Sequence, residues 1–438
     1  MANRDLRGVS FGSALAPALA LLLVCGCFDQ NRIAPLYDWV VPTRMPDPIY
    51  EELFPYYVEI CAVSQYRPKQ GNVGGAPGHA VMYLKGACRD ASAAYPRLEP
   101  CERVSTSRAD PEHGVGISVN RWFKKVNWIA TPGKELFYDG DLAPYETLTR
   151  AHWEATGQRA LALGLYRGAA LHDYPAEGER STEDFVARHS MGTDFALRFG
   201  RTVFCTRLPV TEPMLREVIR YLNDLNEKYA TGEADYNWSG YSDNCVHTIH
   251  NALAAASVWK PKAINEIKLR QFFHMAIPAN TFIDLGDRGL LFPLEDFGSV
   301  YDDEVQRQSL ERYGWLPTRH GVLMKTLPVH QDNELYDTQV RLMILQAPFR
   351  SAASKRANLM LGDARTSELE HNLRLFQARY DAILSEREDE EGFSLHTDRY
   401  KELRSRYYAY IETQLAEVNR MLAQLRERAR AAATGAAH

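Results

Sequence analysis

The chain has 438 residues, 45% of them hydrophobic and 24% charged, with a formal net charge of -5. That length can bury one large core or two smaller ones, and the composition is that of a globular protein rather than a disordered or fibrous one. The slight acidic balance gives no pull towards nucleic acid, and neither a basic tract nor an RNA-binding signature occurs, so no nucleic-acid partner is expected.

At the N-terminus, Arg4 and Arg7 precede an apolar run from Leu15 to Val24, followed by small residues, which is the pattern of a bacterial secretory signal. The stretch Val24-Cys25-Gly26-Cys27 looks like a lipobox, in which Cys27 would receive a diacylglyceryl group and become the mature N-terminus. The apolar run is too short for a comfortable membrane span, and no other segment is long and apolar enough to cross a bilayer. The expected location is therefore the cell envelope: a periplasm-facing lipoprotein, held at the outer membrane by its lipid.

The first chemistry-bearing segment is Gly78-His79-Ala80-Val81-Met82-Tyr83-Leu84, a histidine opening an apolar strand. Alone, such a histidine is more often satisfied by a backbone carbonyl than catalytic. A long polar insertion follows over 85–113. Next comes a strand over Gly114-Val115-Gly116-Ile117-Ser118-Val119-Asn120, whose alternation sets Val115, Ile117 and Val119 on one face and Ser118 and Asn120 on the other. Asn120 is the choice to hold the imidazole of His79, because an amide oxygen can accept the proton on its second nitrogen.

Further on, a strand is expected over Thr202–Val210 and a helix from about Thr211-Glu212-Pro213 through Leu225. Tyr236-Asn237-Trp238 then precedes Ser242-Asp243-Asn244-Cys245, which opens the run Val246-His247-Thr248-Ile249-His250-Asn251. Ser242, Asp243 and Asn244 are all capping residues, so a helix begins at Cys245. Unpaired amides at a helix start favour the thiolate, which is how a thiol becomes nucleophilic. Taken alone, Cys245 reads as a small buried residue. His247 and His250 share a helix face at a spacing of three, but Cys245 points elsewhere, and no HExxH or CxxC pair completes a site. No metal and no cofactor are expected.

Export bears on the other cysteines, since Cys61, Cys88, Cys101 and Cys205 would share an oxidising compartment with Cys245. Five is odd, so one thiol stays free, and the proposed nucleophile is the natural one. Cys88 and Cys101 flank a polar loop that a bridge could close, offsetting about 3 kcal/mol of loop-closure entropy in the chain-entropy model. Pairing of Cys61 with Cys205 is open, since sequence does not fix connectivity.

Beyond residue 285 the chain changes character. Residues 286–331 are rich in Gly, Pro, Asp and aromatics and read as an irregular connecting region. Within 332–438, Leu369, Leu373, Phe376, Tyr380 and Ile383 recur at spacings of four and three, as do Tyr408, Ile411, Leu415, Val418, Leu422 and Leu425. The acidic stretch Glu386–Glu391 and Gly392 separate these seams, predicting an antiparallel, coiled-coil-like hairpin. Such a hairpin can project about 45 Å and offer a surface to a protein partner.

The order of these motifs, with Gly-His on a strand first and Asn-Cys at a helix start second, resembles the circularly permuted papain-like superfamily. That group includes NlpC-like amidases and lecithin:retinol acyltransferase-like proteins, and the resemblance covers about residues 50–285. The Tyr-Asn pair ahead of the Asn-Cys helix start is similar to its bacterial periplasmic branch. In place of that group's short hairpin after the histidine strand, this chain has the 85–113 insertion.

The resemblance implies an α+β permuted papain-like domain, antiparallel sheet plus helices, assigned to 28–285 after the signal peptide 1–27 read above. It also implies a thiol hydrolase or acyltransferase acting on amide or ester bonds of envelope material, either peptidoglycan peptide or lipid, through Cys245 and His79. A catalytically silent envelope scaffold or binding lipoprotein that works through its helical hairpin is the alternative.

Overall fold

A computed structural model of the chain describes residues 28–29, 48–69, 78–143, 146–173, 181–240, 242–264, 275, 278–338, 344–345, 353–387 and 397–435. The expected signal segment and Cys27 lie outside the described residues, as does most of the acidic stretch before Gly392. The fold is mixed α+β. Its strands are β1 (Phe28–Asp29), β2 (Tyr57–Val63), β3 (His79–Lys85), β4 (Ala87–Arg89) and β5 (Leu98–Pro100). They continue with β6 (Gly114–Val119), β7 (Trp128–Pro132), β8 (Val203–Pro209), β9 (Leu323–Leu327) and β10 (Ile344–Leu345).

Six strands form one antiparallel sheet in the order β7-β6-β3-β2-β8-β9. The register pairs Val63 with both His79 and Val203, and Val203 with Leu327, so the start of β3 and of β8 meets the end of β2 and of β9 at one end of the sheet. The expected strand over 114–120 is β6, ending at Val119, and that over 202–210 is β8.

Both faces of the sheet are covered, which explains why β2, β3 and β8 are buried at every position instead of alternating with solvent. One face carries Val58, Ile60, Ala62, Ala80, Met82 and Leu84 and packs under helices Glu212–Ala230, Cys245–Ala255 and Pro278–Gly286. Trp128 Nε1 donates to the Leu222 carbonyl at 2.7 Å and Thr206 Oγ1 to that of Phe282 at 2.7 Å, fixing this layer.

On the other face, the alternating Tyr57, Glu59, Tyr83, Lys85 and Arg207 meet helices Pro48–Leu53 and Lys134–Asp139 in a buried ionic cluster. Glu51 bonds Lys85 at 3.0 Å and lies 3.3 Å from Lys134, while Glu59 pairs with Arg207 and accepts from Tyr138 at 2.7 Å. Gly116 leaves room for Phe137 here, since a Cβ at that position would lie 2.0 Å from the ring.

The 85–113 insertion holds the β4–β5 hairpin, closed by a Cys88–Cys101 disulfide, and a second disulfide joins Cys61 to Cys205 across β2 and β8. Residues 286–331 are less irregular than their composition suggests: they contain helices Phe297–Asp302 and Glu304–Tyr313, and β9 completes the main sheet.

The C-terminal helices Leu369–Ser385 and Asp398–Gly435 pack on one another along the predicted seams. Leu373, Phe376, Tyr380, Ile411 and Val418 are buried there. They do not project as a spur. A second stripe of Leu403, Tyr407 and Tyr410 docks the longer helix on the body: Tyr407 bonds the Leu294 carbonyl, and its ring packs 5.3 Å from that of Phe297. Arg379 pairs with Glu295 and Asn372 donates to the Val322 carbonyl at 3.0 Å, so the shorter helix is tied down too. No helix among the described residues is long and apolar enough to cross a membrane.

Candidate active site

Cys245 opens its helix as the sequence predicts. Asn244 is the N-cap, its side chain accepting from the amides of Val246 at 2.8 Å and His247 at 3.3 Å. The Asn244 amide in turn donates to the carbonyls of Gly240 at 2.8 Å and Met275 at 3.1 Å, which locks the helix start in place. Of the cysteines in the described residues, Cys245 alone is free; it is buried, and its sulfur accepts the backbone N–H of Ala80 at 3.4 Å.

His79 is the residue before that amide, so the two candidate groups occupy the same end of the sheet. Gly78 ahead of it has φ +99°, and a Cβ there would lie 2.7 Å from the Val63 carbonyl oxygen, so only glycine lets the chain enter β3 this closely. Alternation sends the Ala80 side chain towards the helical layer and the His79 side chain to the opposite face. No hydrogen bond joins the Cys245 sulfur to the imidazole, and His79 Nε2 is buried without a partner.

Asn120 lies just past the end of β6, where the β3–β6 register, continued three places beyond its last pair, would set it opposite His79. Its amide serves a different group from the one expected. Nδ2 donates to both carboxylate oxygens of Asp194, at 3.1 and 3.3 Å, and to Ser190 Oγ at 3.3 Å, and no hydrogen bond runs from Asn120 to the imidazole. Asp194 also accepts from Tyr166 at 3.1 Å, and its backbone carbonyl accepts from Thr131 at 2.9 Å. Burial pushes its carboxyl up to about 6 despite these donors.

Electrostatics at the site favour neutral groups. Burial pushes the Cys245 thiol up to about 11, outweighing the amides of Ala80, Val246 and Cys245 and the nearby Arg201 cation. The helix-end effect expected from sequence is present but smaller than the cost of desolvating a thiolate. Burial, reinforced by Arg201, holds the His79 imidazole down at about 3. At neutral pH the pair is a thiol and an uncharged imidazole, not a preformed ion pair.

Several groups beside Cys245 escaped sequence reasoning. Arg201, two residues before β8, is buried and interacts electrostatically with both Cys245 and His79. The Tyr236 hydroxyl and Asp243 Oδ1 are buried without partners, and burial pushes the Asp243 carboxyl up to about 7. Asp243 and Tyr236 stood out only as parts of motifs, whereas Arg201 carries no local signal: it is one arginine at the start of a strand.

The histidines on the Cys245 helix are engaged elsewhere. His247 Nδ1 lies 3.0 Å from Asn244 Oδ1; His250 stacks on Trp259 with ring centres 4.2 Å apart and pairs with the Lys260 carbonyl at 2.9 Å. Glu59, Cys61 and Cys205 come together closely enough for a metal, but the two sulfurs are spent on their disulfide. No family model, no curated protein and no solved structure matches this chain.

Proposed function

We propose that this chain is an exported thiol hydrolase or acyltransferase of permuted papain-like type, anchored through a lipid on Cys27 and acting on amide or ester bonds of cell-envelope peptide or lipid. The observation that carries the reading is the Ala80 amide on the Cys245 sulfur, which sets a capped helix-start thiol beside the strand position of an uncommitted histidine. Attack would begin from the neutral pair. As the sulfur bonds to the acyl carbon, His79 takes the thiol proton and then delivers it to the departing amine or alcohol. The backbone N–H of Cys245 would support the oxyanion, and water or an acceptor amine would release the acyl group. Because alternation sends the His79 side chain to the face of the sheet opposite that of Ala80, whose amide meets the sulfur, the imidazole would have to swing towards the sulfur when substrate enters.

The test is acylation by an activated ester such as p-nitrophenyl butyrate, followed by intact-mass and peptide mass spectrometry. The reading expects a butyryl thioester on Cys245, absent in Cys245→Ser and formed about a hundredfold more slowly in His79→Ala. A wild-type protein that never acquires the adduct would favour the second reading, an envelope scaffold or binding lipoprotein. The elevated thiol and the missing sulfur–imidazole bond are what speak for that second reading.

A further inference from the structure

Arg201 is a buried cation that makes no direct ion pair among the described residues, although the Asp194 carboxylate acts on it from a distance. It is 2% exposed, and no carboxylate among the described residues lies within the 4.0 Å of an ion pair. Arg207 and Arg319, also buried, are answered by Glu59 and by Glu417 respectively. Arg201 has only neutral acceptors: Nη1 donates to the Ser64 carbonyl at 2.9 Å and Nη2 reaches Thr193 Oγ1 at 3.5 Å, while the Tyr66 ring lies 4.8 Å from the guanidinium carbon. Nε has no partner. Asp194 is the acid that acts on it, but beyond ion-pair distance, its carboxylate oxygens accepting from Asn120 and Tyr166 instead. A buried charge is costly unless something pairs with it directly, so a guanidinium with an unpartnered Nε is a position for a ligand to complete.

The guanidinium keeps its charge at neutral pH, since burial lowers it only to about 10. Its Nε–Nη2 edge, with Nε unpartnered and Nη2 held only by Thr193 at 3.5 Å, is a planar pair of donors, the shape that takes a carboxylate in two parallel hydrogen bonds. Ser64 and Val203, which bracket its position, follow and begin the strands that pair through Val63 with His79, so this edge belongs to the same sheet end as Cys245. His79 Nε2 is the other buried nitrogen there that lacks a partner. We infer that Arg201 is the receptor for a carboxylate carried by the acyl substrate, close to the bond that Cys245 attacks. The inference rests on the thiol reading above and narrows it to carboxylate-bearing acyl substrates.

Paired alkylating agents test it. In both, the Cys245 sulfur displaces iodide from a methylene carbon and the thiol proton is lost, but iodoacetate carries a carboxylate and iodoacetamide does not. Rates at Cys245, read by peptide mass spectrometry near pH 9, should favour iodoacetate in the wild type. The iodoacetate-to-iodoacetamide ratio should fall about tenfold or more in Arg201→Gln and be partly restored in Arg201→Lys. A wild-type preference for iodoacetamide, or a ratio unchanged in Arg201→Gln, would overturn the inference while leaving the thiol reading standing.

If Cys245 resists both reagents, the thiol reading is what has failed, and the carboxylate site is judged by binding alone. N-acetylglycine should then raise the melting temperature of the wild type and not of Arg201→Gln; no rise in the wild type overturns the inference.

Discussion

The amide of Ala80 reaches the sulfur of Cys245 across 3.4 Å, joining a strand and a helix start that lie 165 residues apart in sequence. That contact positions the thiol and favours its thiolate, but the packing that surrounds the sulfur has the larger, opposite effect on its ionisation. With the thiol pushed up to about 11, roughly one molecule in ten thousand holds a thiolate at pH 7. Alkylation of Cys245 by iodoacetamide should therefore climb about tenfold per pH unit between pH 7 and 10. A plateau beginning below pH 9 would mean that the thiol is far more acidic than its surroundings allow.

Glu59 holds the ionic cluster on the other face of the sheet. Burial alone would raise its carboxyl, but Arg207 and then Lys134 outweigh that and bring it down to about 2. Its folded value lies below the ordinary one of about 4.3, so its contribution is present above that pH and is lost as pH falls towards 2. Glu59→Gln should cost about 3–5 kcal/mol in urea unfolding at pH 7, because it removes the closest acid of Arg207 and leaves Glu51 alone to answer Arg207, Lys134 and Lys85. A loss below 1 kcal/mol would show that Glu51 by itself suffices for the three cations.

Asp194 has the opposite sign. Its carboxyl is raised to about 6 by burial, so the native state prefers it protonated and stability falls as pH rises from about 4 to about 6. Asp194→Asn cannot ionise, and the difference between its stability and that of the wild type should change across that window and level off above it. Parallel pH–stability curves for the two proteins would contradict this assignment.

The two disulfides differ in access. Cys61 and Cys205 are buried between β2 and β8, whereas Cys88 and Cys101 are partly exposed on the hairpin that they close. Mild dithiothreitol without denaturant should open Cys88–Cys101 first and leave Cys61–Cys205 intact until the protein unfolds, as read by differential alkylation and mass spectrometry. Simultaneous reduction would show that the sheet opens locally at β2 and β8.

The C-terminal hairpin should melt with the body. Tyr407 is fully buried against Phe297 and bonds the Leu294 carbonyl, so Tyr407→Ala removes a large ring from a closed interface. A cost of about 3–5 kcal/mol to a single cooperative transition is expected in calorimetry. A separate early transition in the wild type would mean that the hairpin is an independent unit.

Local patterns were legible in the chain. The caps at Thr211 and Asn244, the strands around His79, Val115 and Val203, and the heptad stripe from Leu369 to Ile383 all follow from side-chain period and backbone hydrogen bonding over a few residues. The Cys88–Cys101 bridge was legible too, since thirteen positions apart around a polar loop is a short-range relation. Less legible was the second stripe of Leu403, Tyr407 and Tyr410. It shares a helix with the seam, and sequence does not say which of two apolar faces meets the partner helix and which meets the body.

The candidate site divides in the same way. Residue chemistry and local spacing by themselves determined which side chains are candidates, namely a capped thiol at Cys245 and a strand histidine at His79. Tertiary structure alone decided their ionisation and neighbours. Desolvation depends on every atom packed around a group, and a long-range charge such as Arg201, or a rival acceptor such as Asp194 for the Asn120 amide, arrives from elements far away in the chain. Periodicity records the neighbours a residue has along its own helix or strand; it carries no record of how much water the finished fold removes from it.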